Sequence, residues 1–275
     1  MDIIKVLQQE LQIGYKQAEA AVALIDEGNT IPFIARYRKE ATGALDDQVL
    51  RNLDERLRYL RNLEEKKEQV LGSIREQEKL TPELEAQIRA AATMVAVDDL
   101  YRPYRPKRRT RAMIAKERGL EPLADLISLQ MVKEPVEKLA EAYISQEKEV
   151  LTAQDAVNGA KDILAERISD RADYRTYIRR TTMDQGSVCY AARDEKQESV
   201  YEMYYHYEET VKRCAGHRVL ALNRGEKEKL LTVKLAAPEE TVLSYLEKQV
   251  IQKDNPYTTP LLREVVADSY ERLIA

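Results

Sequence analysis

The sequence predicts a mainly α protein, a multi-helix scaffold built around one long central helix, and three observations carry that expectation. Gly and Pro number nine each in 275 residues, too few for a chain of many tight β-turns and suited to long helices joined by few loops. Leu50, Leu53, Leu57, Leu60 and Leu63 step by three and four, the spacing of one helix face. From Asp46 to Leu80 there is no Pro and a single Gly, Gly72, so nothing interrupts that face for about 50 Å at the helical rise. Charged residues make up 33% and hydrophobic ones 44%, a globular balance with a charge-rich surface, in a chain long enough for one large domain or two to three small ones.

Residues 1–45 read as a helical head. Ile3, Ile4, Leu7 and Leu11 recur at helical spacing, as do Ala18, Ala21, Val22 and Ile25. Gly14 and Gly28 fall just past each run, where helices commonly end. Two short helices about a turn fit a helix-turn-helix module and fit any packed helical hairpin equally, so both readings stand. Within NTIPFIARYRKEATGAL, Pro32 opens a helix at its first turn and Gly43 closes it. That segment sets a buried-looking trio, Ile31, Phe33 and Ile34, beside a dense charge cluster, Arg36, Arg38, Lys39 and Glu40.

Residues 46–119 read as a long helical hairpin and a basic loop. The leucine stripe resumes at Val70, Leu71 and Ile74, with Asp, Glu, Arg and Lys on the other face. Thr81, Pro82 and Glu83 restart a helix as N-cap, first turn and acidic dipole partner, and residues 82–97 fold back on the long helix. Pro103 and Pro106 forbid a regular helix through the next stretch, since each pushes the preceding residue towards extended geometry. A helix begins again near Ala112.

Residues 120–275 read as a helical region with a small β-hairpin. Leu123, Leu126 and Ile127 start one helix, and Val136, Leu139, Ala140, Tyr143 and Ile144 mark the next. Thr152 caps a third, with Asp155 as a short capping box and Ala156, Ala160, Ile163, Leu164 and Ile168 as its apolar stripe. The Tyr-rich stretch 187–214 is predicted helical. Val219 and Ala221, then Leu231, Val233 and Leu235, alternate with polar residues around Asn223-Arg224-Gly225, the pattern of a β-hairpin over 218–235. A helix over 241–252 and a last one capped by Thr259 complete the chain.

Composition bounds the function. A net charge of −4 excludes a generic polyanion binder, so any nucleic-acid contact must come from local clusters of positive charge. The 16 Tyr, against one Phe and no Trp, suit half-buried seams where a ring packs and its hydroxyl meets a polar partner. Cys189 and Cys214 make no disulfide framework and point to a reducing compartment, the cytoplasm. No apolar run approaches the roughly 20 residues of a membrane span, and charges interrupt every early apolar stretch, so neither a membrane partner nor a signal peptide is expected. No glycine-rich phosphate cradle and no nucleophile elbow occurs. Cys214 and His217, with Cys189 and His206 upstream, are four soft ligands in the spacing of no common zinc module. No metal, no cofactor and no catalytic residue is therefore expected. Asp98-Asp99 can form a metal pair, or can pair with Arg102 or Arg105 or cap a loop; the second is the expectation.

The densest functional signal is the basic loop. Arg102, Arg105, Lys107, Arg108, Arg109 and Arg111 lie within ten residues, interleaved with Tyr101 and Tyr104. Arginine forks onto phosphate and a tyrosine ring stacks on a base. The same residues can instead brace helices through salt bridges. Arg36, Arg38 and Lys39 form a second cluster that can extend the same surface.

Four segments, in order, carry a family resemblance: GNTIPFIARYRKEATGALDD from Gly28, DDLYRPYRPKRRTRAMIAKERGLEPLA from Asp98, AVNGAKDILAERISD from Ala156 and GHRVLALNRGEKEKLL from Gly216. Together they resemble the bacterial Tex family of transcription accessory proteins. Proteins of that family are similar to the core of a eukaryotic transcription elongation factor, and the resemblance implies an N-terminal helical region with a helix-turn-helix-like element. It also implies a following RNase-H-like domain without activity, tandem helix-hairpin-helix motifs and a C-terminal OB-fold that binds RNA. By the same resemblance this chain corresponds to the N-terminal portion and ends where the RNase-H-like domain begins. The expected function is a non-catalytic, nucleic-acid-associated scaffold. Its expected partners are RNA or DNA, the transcription machinery and the family's C-terminal domains. A pure protein-interaction scaffold is the first alternative and a metal-dependent nuclease or hydrolase the second.

Overall fold

A computed structural model describes residues 1–106 and 109–275. It is 67% helical with one small sheet, the mainly α class expected, and its residues form two compact units, Met1–Tyr104 and Arg105–Ala275.

In the first unit, α1 (Ile3–Leu11), α2 (Tyr15–Asp26), α3 (Ile31–Tyr37) and α4 (Lys39–Thr42) make the head. Asp2 caps α1 by accepting the Lys5 N–H at 3.1 Å. The single helix expected between Pro32 and Gly43 is instead two, because Arg38 leaves helical geometry at φ −125° and ψ 24°. The resulting elbow lets Ile34 of α3 and Thr42 of α4 both reach 0% exposure.

The long helix is α5 (Asp47–Glu76), capped by Asp46 on the Val49 N–H at 2.8 Å and about 45 Å long. Its stripe serves two cores. Leu50, Leu53, Leu57 and Leu60 pack with Leu7, Ala18, Ala21, Val22 and Ile34 of the head. Leu63, Val70, Leu71 and Ile74 pack with Ile88 and Val97 of the return arm. That arm is α6 (Pro82–Ala90), capped by Thr81 as predicted, and α7 (Met94–Tyr101), capped by Thr93. A 3-10 turn, Arg102–Tyr104, ends the unit.

In the second unit, α8 (Arg111–Glu117), α9 (Glu121–Leu129), α10 (Val136–Ala140), α11 (Ala153–Ser169) and α12 (Ala172–Gln185) follow in order. α11 is its axis, with the predicted capping box: the Thr152 N–H donates to Asp155 Oδ2 at 2.9 Å and the Asp155 N–H to Thr152 Oγ1 at 3.1 Å. Its buried Ala156, Ala160, Ile163, Leu164 and Ile168 anchor the core.

The sheet differs from the sequence reading. β1 (Ser187–Ala192) and β2 (His206–Thr210) occupy the stretch predicted helical, and the predicted hairpin is α13 (Gly216–Lys227) followed by β3 (Leu231–Ala236). The strands form an antiparallel sheet in the order β2-β1-β3. The driver is Tyr190 of β1, paired with Tyr207 and Val233 and buried with Tyr201, Tyr205, Leu222 and Leu231. Asn223-Arg224-Gly225 is no turn. A Cβ at Gly225 would lie 2.7 Å from Leu231 Cδ1, so the glycine lets α13 press onto the first residue of β3.

α14 (Glu239–Val250) and α15 (Thr259–Ser269) close the unit, with a π-helical turn over Tyr270–Ile274. The cap position of α15 is Thr258. The expected cap, Thr259, sits one residue inside, where its hydroxyl accepts the Asn255 N–H at 3.0 Å.

Candidate nucleic-acid interface

The basic loop begins locked to α5. The Tyr101 hydroxyl and Ser73 Oγ are 2.9 Å apart, and Gln77 Nε2 donates to the Tyr104 carbonyl at 3.0 Å. Both rings pack against the core shared by α5, α6 and α7, so each spends apolar surface on the protein that base stacking would need. Arg102 is half-buried in the turn between them, and Arg105 and Pro106 are exposed. Lys107 and Arg108 lie outside the described residues. Arg109 reaches Glu117 at 3.1 Å, with side chains 71% and 57% exposed. An ion pair so open contributes under about 1 kcal/mol and exchanges readily for phosphate.

Arg111 is exposed at the first position of α8, whose start Thr110 caps by accepting the Met113 N–H at 3.1 Å. Arg111 joins Arg118, Asn158 and Asp162 around a cavity of about 300 Å³ between α8 and α11. The carboxyl of Asp162 is raised above the usual carboxylate range by burial, against the pull of Arg272 and Arg111. Asp155, on the same wall, is lowered by the Thr152 hydroxyl that its box supplies. Ahead of the loop, Asp98 meets Lys66 of α5 at 3.3 Å, a partner on another element that the sequence reading did not foresee, and Asp99 is buried.

Arg36, Arg38 and Lys39 are all exposed on the α3–α4 elbow. The Arg38 guanidinium lies 5.3 Å from the Phe33 ring centroid, and the Phe33 and Tyr37 rings are 5.3 Å apart. Phe33 was read as core. It is only half-buried, because α3 turns Ile34 inward and leaves Phe33 and Tyr37, at i and i+4, on a shared outer face. That spacing was the available signal for Tyr37, which sequence reasoning passed over. The elbow packs through Ile34 on the Leu50–Leu60 half of α5. Arg102 follows a tyrosine bonded to Ser73, more than a dozen residues or about 20 Å further along that helix. Within the first unit, Arg102 and the elbow's cations occupy separate ground.

In the head, α1 and α2 are joined by a short turn, and α2 begins under the elbow. Gln17 Oε1 accepts the Gly14 N–H at 2.8 Å, and its Nε2 donates to the carbonyls of Thr42 and Gly43 at 3.2 and 3.0 Å. Elsewhere, Cys189 and Cys214 are free thiols. Cys214 Sγ donates to Glu209 at 3.1 Å, and burial and that carboxylate push the thiol up. Among the described residues no three His, Cys, Asp or Glu side chains converge on a point where an ion would sit, and no helix is long and apolar enough to cross a membrane.

Residues 1–75 match the Tex-like protein N-terminal domain, and residues 132–270 match the Tex central region-like domain. The chain belongs to the Tex family. It is 44% identical over 271 residues to protein YdcI of Bacillus subtilis, covering 98% of this chain and 38% of that protein. It is 42% identical over 247 residues to transcriptional accessory protein Tex of Neisseria gonorrhoeae, covering 89% of this chain and 32% of the relative. With human S1 RNA-binding domain-containing protein 1 it shares 28% identity over 289 residues, 99% of this chain and 29% of the other. The chain thus spans about a third of the length of these curated relatives. The elbow of this Tex-family chain lies inside the first matched segment, and the basic loop lies between the two.

Proposed function

We propose that this chain is a non-catalytic helical scaffold of a transcription accessory protein and that it contacts nucleic acid through its basic loop. One observation carries the reading: six cations and no carboxylate occur from Leu100 to Ala115, in a chain of net charge −4, with Arg105, Arg109 and Arg111 exposed. Phosphate contact is assigned to this loop rather than to a DNA-reading α2, since the exposed residues of α2 include Lys16, Glu19 and Asp26 and no arginine. The name of the human relative, with its S1 RNA-binding domain, supports RNA as the ligand class, and the Neisseria relative's name supports a role beside the transcription machinery. The long α5, serving two cores, is the scaffold on which C-terminal domains and transcription partners would be held. Two free thiols fit a cytoplasmic site of action.

The test is fluorescence anisotropy with labelled single-stranded RNA and duplex DNA over a range of salt. A variant with Arg105, Lys107, Arg108 and Arg109 changed to Ala should lose most of its affinity for RNA. Its log–log salt slope should flatten by about three, near 0.7 for each lost phosphate contact on a single strand. Unchanged binding by a folded variant would hand the loop to helix bracing, and no binding by the wild type at low salt would put the protein-interaction scaffold first. Divalent-metal-dependent turnover that vanishes in Asp98→Asn would overturn the non-catalytic part.

A further inference from the structure

We infer that the α3–α4 elbow is a nucleic-acid site of its own, a platform on which an unpaired base stacks against Tyr37 and Phe33 while Arg36, Arg38 and Lys39 hold the flanking phosphates. The inference shares its ligand class with the proposed function and depends on none of the loop's residues.

Charge is the first argument. Outside the elbow, most arginines of the first unit are neutralised: Arg51 closes on Asp47 at 2.6 Å, Arg56 on Glu10 at 2.5 Å, Arg58 on Asp54 at 2.7 Å, Arg61 on Asp26 at 2.7 Å and Arg89 on Glu68 and Glu85 at 2.8 Å. The elbow departs from that habit. No carboxylate occurs from Gly28 to Lys39, and among the described residues Arg36, Arg38 and Lys39 form no salt bridge. Arg38 lies over the Phe33 ring instead, an arrangement that keeps the guanidinium edge open to a phosphate.

The aromatic surface is the second. Tyr37 is 67% exposed, more than any other described tyrosine, and its ring neighbour is Phe33, over which Arg38 lies. An exposed ring flanked by unneutralised cations is the composition that binds single strands, because every base offers a π-face and every linkage a charge. A protein partner would be met equally well by the ring but would not explain why three exposed cations stand beside a single carboxylate, Glu40, with no salt bridge formed among the described residues.

Rigidity is the third. Ile34 and Thr42 are fully buried on either side of the bend. The Thr42 hydroxyl donates to the Arg38 carbonyl at 3.2 Å, and Gln17 ties down the turn beyond. The platform exists before a ligand arrives, so little ordering cost attends binding. With only seven residues, α3 is too short to lie along a duplex groove as a reading helix, whereas an unpaired base can come to the ring.

The experiment uses the full chain and a short single-stranded RNA carrying 2-aminopurine, whose fluorescence is quenched on stacking, beside a duplex of the same sequence. Tyr37→Ala, at an exposed position, should stay folded by circular dichroism, lose the quenching and bind the single strand roughly 5- to 150-fold more weakly. Tyr37→Phe should keep both signals, because the ring and not the hydroxyl does the stacking. Arg36→Gln with Arg38→Gln should weaken binding with a flatter salt slope. The loop variant should bind less tightly yet still quench at saturation. Tyr37→Ala that quenches and binds like wild type would overturn the platform, as would equal losses on single strand and duplex. If Tyr37→Ala fails while the loop variant is unaffected, the platform stands and the loop reading falls. If the wild type binds no oligonucleotide at low salt, both fall and the exposed ring belongs to a protein interface.

Discussion

Lys67 shows how one side chain can hold two elements together. It occupies the position four residues after Leu63, where the stripe of α5 would call for an apolar group, and it is 3% exposed. Its stem packs inside while Nζ donates to the Arg89 carbonyl at the end of α6 at 2.9 Å and pairs with Glu64 at 2.9 Å. A cation there also faces the negative end of the α6 dipole. Glu64 takes the Met1 amino group as well, at 2.7 Å. Burial pushes the Glu64 carboxyl up, but the amino terminus and Lys67 outweigh it and the net shift is downward. Lys67→Met keeps the volume, removes the donor and leaves a buried carbonyl unmatched, so unfolding in urea should show a loss of about 1–3 kcal/mol. A more stable variant would mean that the desolvation cost of the ammonium exceeds its bonds. The pH dependence follows from the direction of the Glu64 shift. A lowered carboxylate stabilises above its unfolded pKa, and that stability is lost as pH falls through the folded pKa. The variant should therefore lose less stability than wild type between neutral pH and pH 3.

Between elements, close approach is set by glycines inside helices. At Gly159 of α11 a Cβ would sit 2.3 Å from Leu120 Cδ1 and 3.2 Å from Ala115 Cβ, and both neighbours are buried. Gly159→Ala gains about 1 kcal/mol of helix propensity, but wedging α8 from α11 costs about 1–3 kcal/mol. The net expectation is a lower Tm by a few degrees, checked by thermal unfolding; a higher Tm would show that Leu120 can swing away. The same physics explains what the sequence could and could not disclose. Helices announced themselves through period and caps, as in α5 and at Thr81 and Thr152, because those signals are local. Gly225 looked like a hairpin tip, since a glycine serving a close helix–strand contact is indistinguishable in sequence from one serving a turn. β1 and β2 hid in a Tyr-rich stretch whose burial depends on partner strands whose paired residues lie 15 to 49 positions away. The basic clusters were legible as charge, but their neutralisation was not. Arg109 meets Glu117 eight residues on, and Asp98 meets a lysine from another helix, whereas the elbow's cations differ from them only in what the fold fails to bring near.

For the molecule as a whole, the division at Tyr104 and Arg105 predicts that the two parts fold without each other. Each has two apolar cores of its own, one pair along α5 and the other around α11 and the sheet, and a domain is defined by owning its core. The link within the first unit runs through α5, whose one stripe supplies both cores, so the head cannot be separated from the return arm without stripping half of that stripe. Residues 1–104 and residues 105–275, produced separately, should each give a single cooperative transition in denaturant, with midpoints close to those of the intact chain. A first part that is unfolded alone would show that its cores need the second unit. The boundary also divides the proposed chemistry. The hydroxyl of Tyr101 and the carbonyl of Tyr104 are bonded to α5, so Arg102 and the elbow belong to the first part, whereas Arg105 through Arg111 belong to the second. If both parts fold, base stacking should travel with residues 1–104 and the loop's salt-dependent binding with residues 105–275. A chain carrying one weak contact on each of two bodies would then gain affinity by linking them, since the second contact forms at the effective concentration set by the first. Intact chain should accordingly bind an RNA long enough to reach both sites more tightly than either part. Equal affinity of the intact chain and its stronger part would mean that the two contacts never engage one strand together.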